Sequence, residues 1–172
     1  MRKARLAAVV AILTACAVSV GAQTQNSCGA NALCWLKTGE DDIFWRHYVE
    51  AREDLSIAAK LGSRNAEYGL ALLYRNQGTG FVDRSTSAYW LIKAARDGVT
   101  PAQILLASEY INGSPPIPKD RIEAYRWFSI AAATATEESQ RADAQRGREV
   151  LAKALTPEQI ARGQARALDV SK

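Results

Sequence analysis

Catalytic hardware is scarce in this sequence. Its 172 residues include a single histidine, His47, and three cysteines. His47 is expected on a helix beside Arg46, and a lone histidine is ordinarily a surface or core residue, since a general base needs an oriented partner beside it. No G-x-S-x-G, H-E-x-x-H or phosphate-loop pattern occurs. Gly78-Thr79-Gly80 has no lysine or helix start placed to cradle a phosphate. Glu40-Asp41-Asp42 lacks further ligands nearby, so no metal and no cofactor is expected. Valine and isoleucine are modest outside the first twenty residues, while alanine is abundant. That balance favours helix over sheet.

A clustered basic surface is lacking too. The chain carries 22 basic and 18 acidic residues. Three of the basic ones, Arg2, Lys3 and Arg5, stand in front of a near-continuous apolar run from Leu6 to Val20. That run ends in the small residues Val20-Gly21-Ala22, the pattern of a signal peptide over residues 1–22, with the mature chain starting at Gln23. The run is short for a membrane span, which needs about 20 apolar residues; left uncleaved it would act as an N-terminal anchor. Without the signal the mature chain is one charge above neutral. Nothing then points to a nucleic-acid partner, which calls for a basic stripe. The expected location is the periplasm. Leu13-Thr14-Ala15-Cys16 also fits the pattern before a lipid-modified cysteine. Cys16 is therefore either a lipidation site, tying the chain to the envelope, or an apolar signal residue that is discarded.

Cys28 and Cys34 remain in either case, and an exported protein keeps such a pair oxidised. Helical residues six apart lie on different faces, roughly 9 Å apart along the axis. A disulfide needs Cα atoms within about 7 Å. The segment is thus expected to be a loop helped by Gly29, its bridge pinning a cap over residues 23–50. Glu40-Asp41-Asp42 reads as the acidic first turn of a helix. Trp35, Phe44, Trp45 and Tyr48 read as the hydrophobic part of that cap.

From residue 51 the sequence repeats. Ala58-Ala59 and Gly62 recur as Ala94-Ala95 and Gly98, and the alanine pair again as Ala131-Ala132. A small residue stands seven before each pair: Ala51, Ser87, Ala124. Interleaved with these, Ala66, Leu70, Ala71 and Tyr74 recur as Ala102, Leu106, Ala107 and Tyr110. Offsets of four, five and eight put each set on one helical stripe. Breakers separate the sets, including the run from Asn112 to Asp120 with its three prolines. The unit is helix, loop, helix, short turn, and such units stack because one alone cannot bury its apolar face.

Ala66 to Tyr74 with Trp90 to Gly98, and Ala102 to Tyr110 with Ala124 to Ala132, resemble Sel-1-like repeats, a branch of the tetratricopeptide-like α-solenoids. The resemblance covers about residues 51–135, two units and a preceding half. Ser108 and Ile111 depart from the usual glycine-flanked run, and no glycine follows Ala132. The resemblance implies an all-α protein, a right-handed α/α superhelix of seven or eight helices. Cysteine-rich members of the family, some linked to β-lactam binding, carry a cysteine pair in each repeat; this array has none. Residues 136–172 read as C-terminal capping helices. Gly147 is a weak point in one, and Thr156-Pro157-Glu158-Gln159 starts the other, which runs to about Leu168.

The resemblance also implies a concave face lined by the first helix of each pair. Tyr68, Leu72 and Arg75, with Ile104, Ser108 and Ile111, stand at the matching offsets. The expected function is an exported, non-catalytic adaptor or scaffold that holds a protein or peptide there. The alternative is a lipid-anchored envelope protein acting near peptidoglycan. A hydrolase, built on His47 with a free cysteine, has least support.

Overall fold

The computed structural model describes residues 28–169, and Cys16 and the signal segment lie outside them. Eight helices and one short 3-10 turn are present among the described residues, with no strand. They fall into two compact units that divide between Ser63 and Arg64.

The first unit is a hairpin of α1 (Ala32–Phe44) and α2 (Tyr48–Lys60). Asn31 starts α1, its side-chain oxygen accepting from the backbone N–H groups of Leu33 and Cys34 at 3.0 and 3.2 Å. Cys28 and Cys34 are bridged with their Cα atoms 5.4 Å apart. The expected loop is confined to Gly29, Ala30 and Asn31, and Cys34 already belongs to the first turn of α1. Gly29 makes the reversal with φ of +51°. Its carbonyl accepts from the Trp35 indole at 2.8 Å, so bridge and ring fix the same turn. Helix α1 also meets α2 closely, because a Cβ on Gly39 would lie 2.8 Å from Leu55 Cγ.

Three expectations fail in this hairpin. Helix α1 starts earlier than foreseen, so Glu40, Asp41 and Asp42 lie near its C-terminus, the unfavourable end of the dipole. Asp42 there faces His47 at 3.5 Å, and His47 stands just ahead of α2 rather than on a helix. Of the aromatic cap, only Trp35 is buried; Phe44 and Trp45 stack edge-to-face and are mostly exposed.

The second unit holds α3 (Arg64–Arg75), α4 (Arg84–Arg96), α5 (Thr100–Asn112), α6 (Arg121–Thr134), α7 (Glu138–Ala152) and α8 (Pro157–Asp169). Helices α3 with α4, and α5 with α6, are the two repeated pairs. The same device opens the second helix of each. Asp83 accepts from the N–H groups of Ser85 and Thr86, and Asp120 from those of Ile122 and Glu123. Their own N–H groups donate to the carbonyls of Tyr74 and Tyr110 at 3.0 and 2.9 Å. The pairs join at Gly98, whose φ of +85° closes α4 while Val99 N–H reaches back to the Ala94 carbonyl at 3.0 Å.

The core follows the stripes read from the sequence. Ala66, Leu70, Ala102, Leu106, Ala107, Ala124 and Ala131 have no exposed surface at all. Alanine at these positions lets helices approach closely, and the leucines fill what remains.

Helices α7 and α8 both pack on α6. Thr156 and Gln159 cap α8 reciprocally, side chain to backbone in both directions, at 2.9 and 3.3 Å. A Cβ on Gly163 would lie 2.9 Å from the Tyr125 ring. Glu123 accepts from both Arg126 and Arg166 at 2.7 Å, tying α8 to α6. Gly147 proves to be a packing position rather than a weak point. A Cβ there would lie 2.5 Å from the Phe128 ring, which is buried. Gly147→Ala should therefore destabilise the unit by about 1 kcal/mol net, overpacking outweighing the gain in helix propensity. Urea unfolding of the variant checks this; an unchanged or higher midpoint would show that Phe128 moves aside freely.

Candidate functional site

Buried polar side chains tie α3 to α4 and also join the two helix pairs. Glu67 directly follows the buried Ala66 and is itself buried. Its carboxylate accepts from Lys93 on α4. The Gln103 side chain, one period later, donates to the Ala95 carbonyl at 3.1 Å. Glu109 on α5 is buried where the preceding unit has Leu73. It pairs with Arg75, at the end of α3, so the pair spans the two repeats. Ser87 donates to the Ala71 carbonyl at 2.8 Å.

Electrostatics follow from burial. Desolvation pushes the Glu67 carboxyl up, and the adjacent Lys93 ammonium only partly reverses this. The hydrogen bond to Glu67 raises the Lys93 pKa in turn. Burial also raises the Tyr68 hydroxyl, against the pull of Arg75.

The six residues expected to line a groove differ in what they offer. Leu72 is 39% exposed and Arg75 keeps about half its side chain, 48%, in solvent. Tyr68, Ile104 and Ile111 are partly buried and pack against the core. Ser108 turns back and donates to the Ile104 carbonyl at 3.1 Å. Arg75 also lines a cleft of about 140 Å³ with Arg84, Ser87, Glu109 and Ile117. Arg84 and Glu109, which line this cleft with Arg75, were not singled out by sequence reasoning, nor was the buried Glu67 with its partner Lys93. One signal was available: a charged residue at 109 where the repeat pattern has a leucine at 73.

Residues 64–99 and 100–133 each match the family model of the Sel1 repeat. Two stretches of the chain thus match the Sel1 repeat. Their boundaries coincide with the pairs α3–α4 and α5–α6. Among solved structures, the chain is similar to a protective antigen present in uropathogenic Escherichia coli strains that displays an SLR fold. The TM-score is 0.71 at 24% identity, over 81% of this chain and 30% of that one. This chain thus spans less than a third of the antigen's length, and the likeness establishes the fold, an all-α solenoid of Sel1 type. No curated protein matches the sequence. Sel1 repeats generally mediate protein–protein interaction and typically act as non-catalytic scaffolds. The geometry suits a role in protein–protein interaction, because it presents held side chains on the helix surface. Among the described residues, no group of three or more His, Cys, Asp or Glu side chains is placed to hold a metal ion.

Two outcomes test the polar joints. A carboxyl whose pKa is raised on folding holds its proton more tightly in the native state than in the unfolded one. Ionising Glu67 therefore costs stability as pH rises from below its ordinary value of 4.5 through its native value. Relative to wild type, Glu67→Gln should gain stability over that rise and then level off; chemical denaturation across the acid range reads it, and the opposite slope would mean a lowered pKa. Arg75→Ala strands a buried carboxylate and should cost about 1–2 kcal/mol, less than a fully buried pair because Arg75 is half in solvent. In a double-mutant cycle with Glu109→Gln, a coupling energy near about 1 kcal/mol is expected, and zero would show the pair to be idle.

Proposed function

We propose that this protein is an exported interaction module whose Sel1 repeats hold a protein or peptide partner through the exposed side of α3, around Leu72 and Arg75. The observation that carries the reading is the two-repeat solenoid itself, with Arg75 fixed by Glu109 of the next repeat. A side chain anchored across two repeats keeps its position when a partner arrives, which lowers the entropy lost on binding. Arginine with an adjacent apolar side chain is a common interface anchor. Export rests on the basic and apolar leader over residues 1–22 and on Cys28–Cys34, which suits an oxidising compartment.

A second reading is favoured by Leu13-Thr14-Ala15-Cys16, which fits lipid attachment at Cys16 and would hold the module at the envelope, near peptidoglycan. No helix among the described residues is long and apolar enough to cross a membrane, so such attachment would fall to the leader or to a lipid. Fractionation with N-terminal sequencing and fatty-acid labelling separates the two. A start at Gln23 without label supports the free periplasmic module; label on Cys16 supports the anchored one; an intact leader on cytoplasmic protein defeats both. For binding, a photo-crosslinking residue at position 72 should trap a partner in living cells. The crosslink should weaken at least several-fold in an Arg75→Glu background. Its absence at position 72 would remove this face from the proposal.

A further inference from the structure

Away from Leu72, two clefts share one arginine. The larger, of about 440 Å³, lies where Ile130 and Ala133 of α6 face Ala167 and Leu168 of α8. Its lining is mainly apolar, and Leu168 stands 70% exposed at its edge. The second, of about 310 Å³, runs along α4 and is lined by Tyr89, Ile92, Lys93 and Asp97. Tyr89 is largely exposed and braced edge-to-face by Trp90, with ring centroids 5.1 Å apart. Arg96, in the last turn of α4, borders both clefts.

The charges around Arg96 are already matched among themselves. Lys93 pairs with Glu67 and lies 3.8 Å from the Asp97 carboxylate. Arg64 donates to the Asp97 backbone carbonyl at 3.2 Å, which adds a second guanidinium to the neighbourhood. Arg96 makes no ion pair among the described residues. The surface thus has two hollows, the larger one mainly apolar, and between them a guanidinium that makes no ion pair among the described residues. An apolar hollow gains from a large side chain, and a guanidinium gains most from a carboxylate, which it can hold through two parallel hydrogen bonds. The larger hollow has the volume typical of ligand pockets.

We infer that the Arg96 surface docks an extended peptide segment of a partner protein in which an acidic residue is flanked by large apolar side chains. The carboxylate meets Arg96, one apolar neighbour enters the hollow at Ile130 and Leu168, and the other lies along α4 against Tyr89 and Ile92. This rests on the reading of the protein as an interaction module and adds the chemistry of the partner and a second place where it is held.

The test is selection of random linear heptapeptides, displayed on phage, against the purified mature protein. The expected result is enrichment of an acidic residue with large apolar residues on both sides. A synthetic peptide of that consensus, its ends blocked, should bind about tenfold more weakly to Arg96→Gln. Exchanging its acid for the matching amide should weaken binding similarly. Leu168→Asp, a change at an exposed position, should weaken it as well, while Leu72→Ala should leave it unchanged. Enriched peptides without an acid, affinity indifferent to Arg96→Gln, or no enrichment at all would each overturn the inference. Peptides that lose binding on Leu72→Ala or Arg75→Glu but ignore Arg96→Gln would also overturn it, while leaving the interaction-module reading standing.

Discussion

Helix backbones in residues 64–169 meet across side chains of one carbon or none. Ala66, Ala102, Ala107, Ala124 and Ala131 are fully enclosed, and Gly147 and Gly163 receive the rings of Phe128 and Tyr125 where their own Cβ would be. Such contacts tolerate little substitution, since an added methyl has nowhere to go in a close-packed interior. They fix the spacing of the helices, and the spacing then decides which longer side chains can reach one another. Arg75 meets Glu109 across the two pairs, and Lys93 meets Glu67 within the first, because the alanines have already drawn the helices together.

That ordering explains why the polar joints tune the array more than they hold it. Their cations stand partly in solvent, where ion pairs contribute little net stability. Their carboxylates are buried, where losing a partner is costly. An arrangement of this kind penalises misalignment of two repeats more than it rewards alignment. It also leaves the Arg75 guanidinium standing half in solvent while a buried carboxylate holds it.

The repeat period, both repeated helix pairs and the cap of α8 were legible in the sequence. They depend on local chemistry: Ala-Ala pairs at fixed spacing, Gly98 after a helix, Thr156 with Gln159. The start of α1 was missed because its signal, Asn31 as the capping residue, lay inside a segment read as a disulfide loop. Once that start is misplaced, the acids near residue 41 land at the wrong end. Exposure of Phe44 and Trp45 was illegible, because an aromatic pair beside a helix end looks the same whether it is covered or not. The candidate surface was legible only in part. Offsets place Leu72 and Arg75 on an outer face, but whether Ile104 and Ile111 lie against neighbouring helices depends on packing that no single helix records. Gly147 shows the same limit, since a glycine made necessary by a ring on another helix looks locally like a defect.

Asp83 and Asp120 each hold a loop shut from both directions, the side chain on the helix that follows and the backbone N–H on the helix before. The segments between those anchors differ completely, one with a short 3-10 turn and two glycines, the other with three prolines. The helix pairs nevertheless close in the same way. The architecture thus separates the hinge from the span it carries. The exposed positions of those spans, on either side of the buried Thr79 and Ile117, become natural places to vary the sequence, through evolution or by an engineer, while the frame keeps its register.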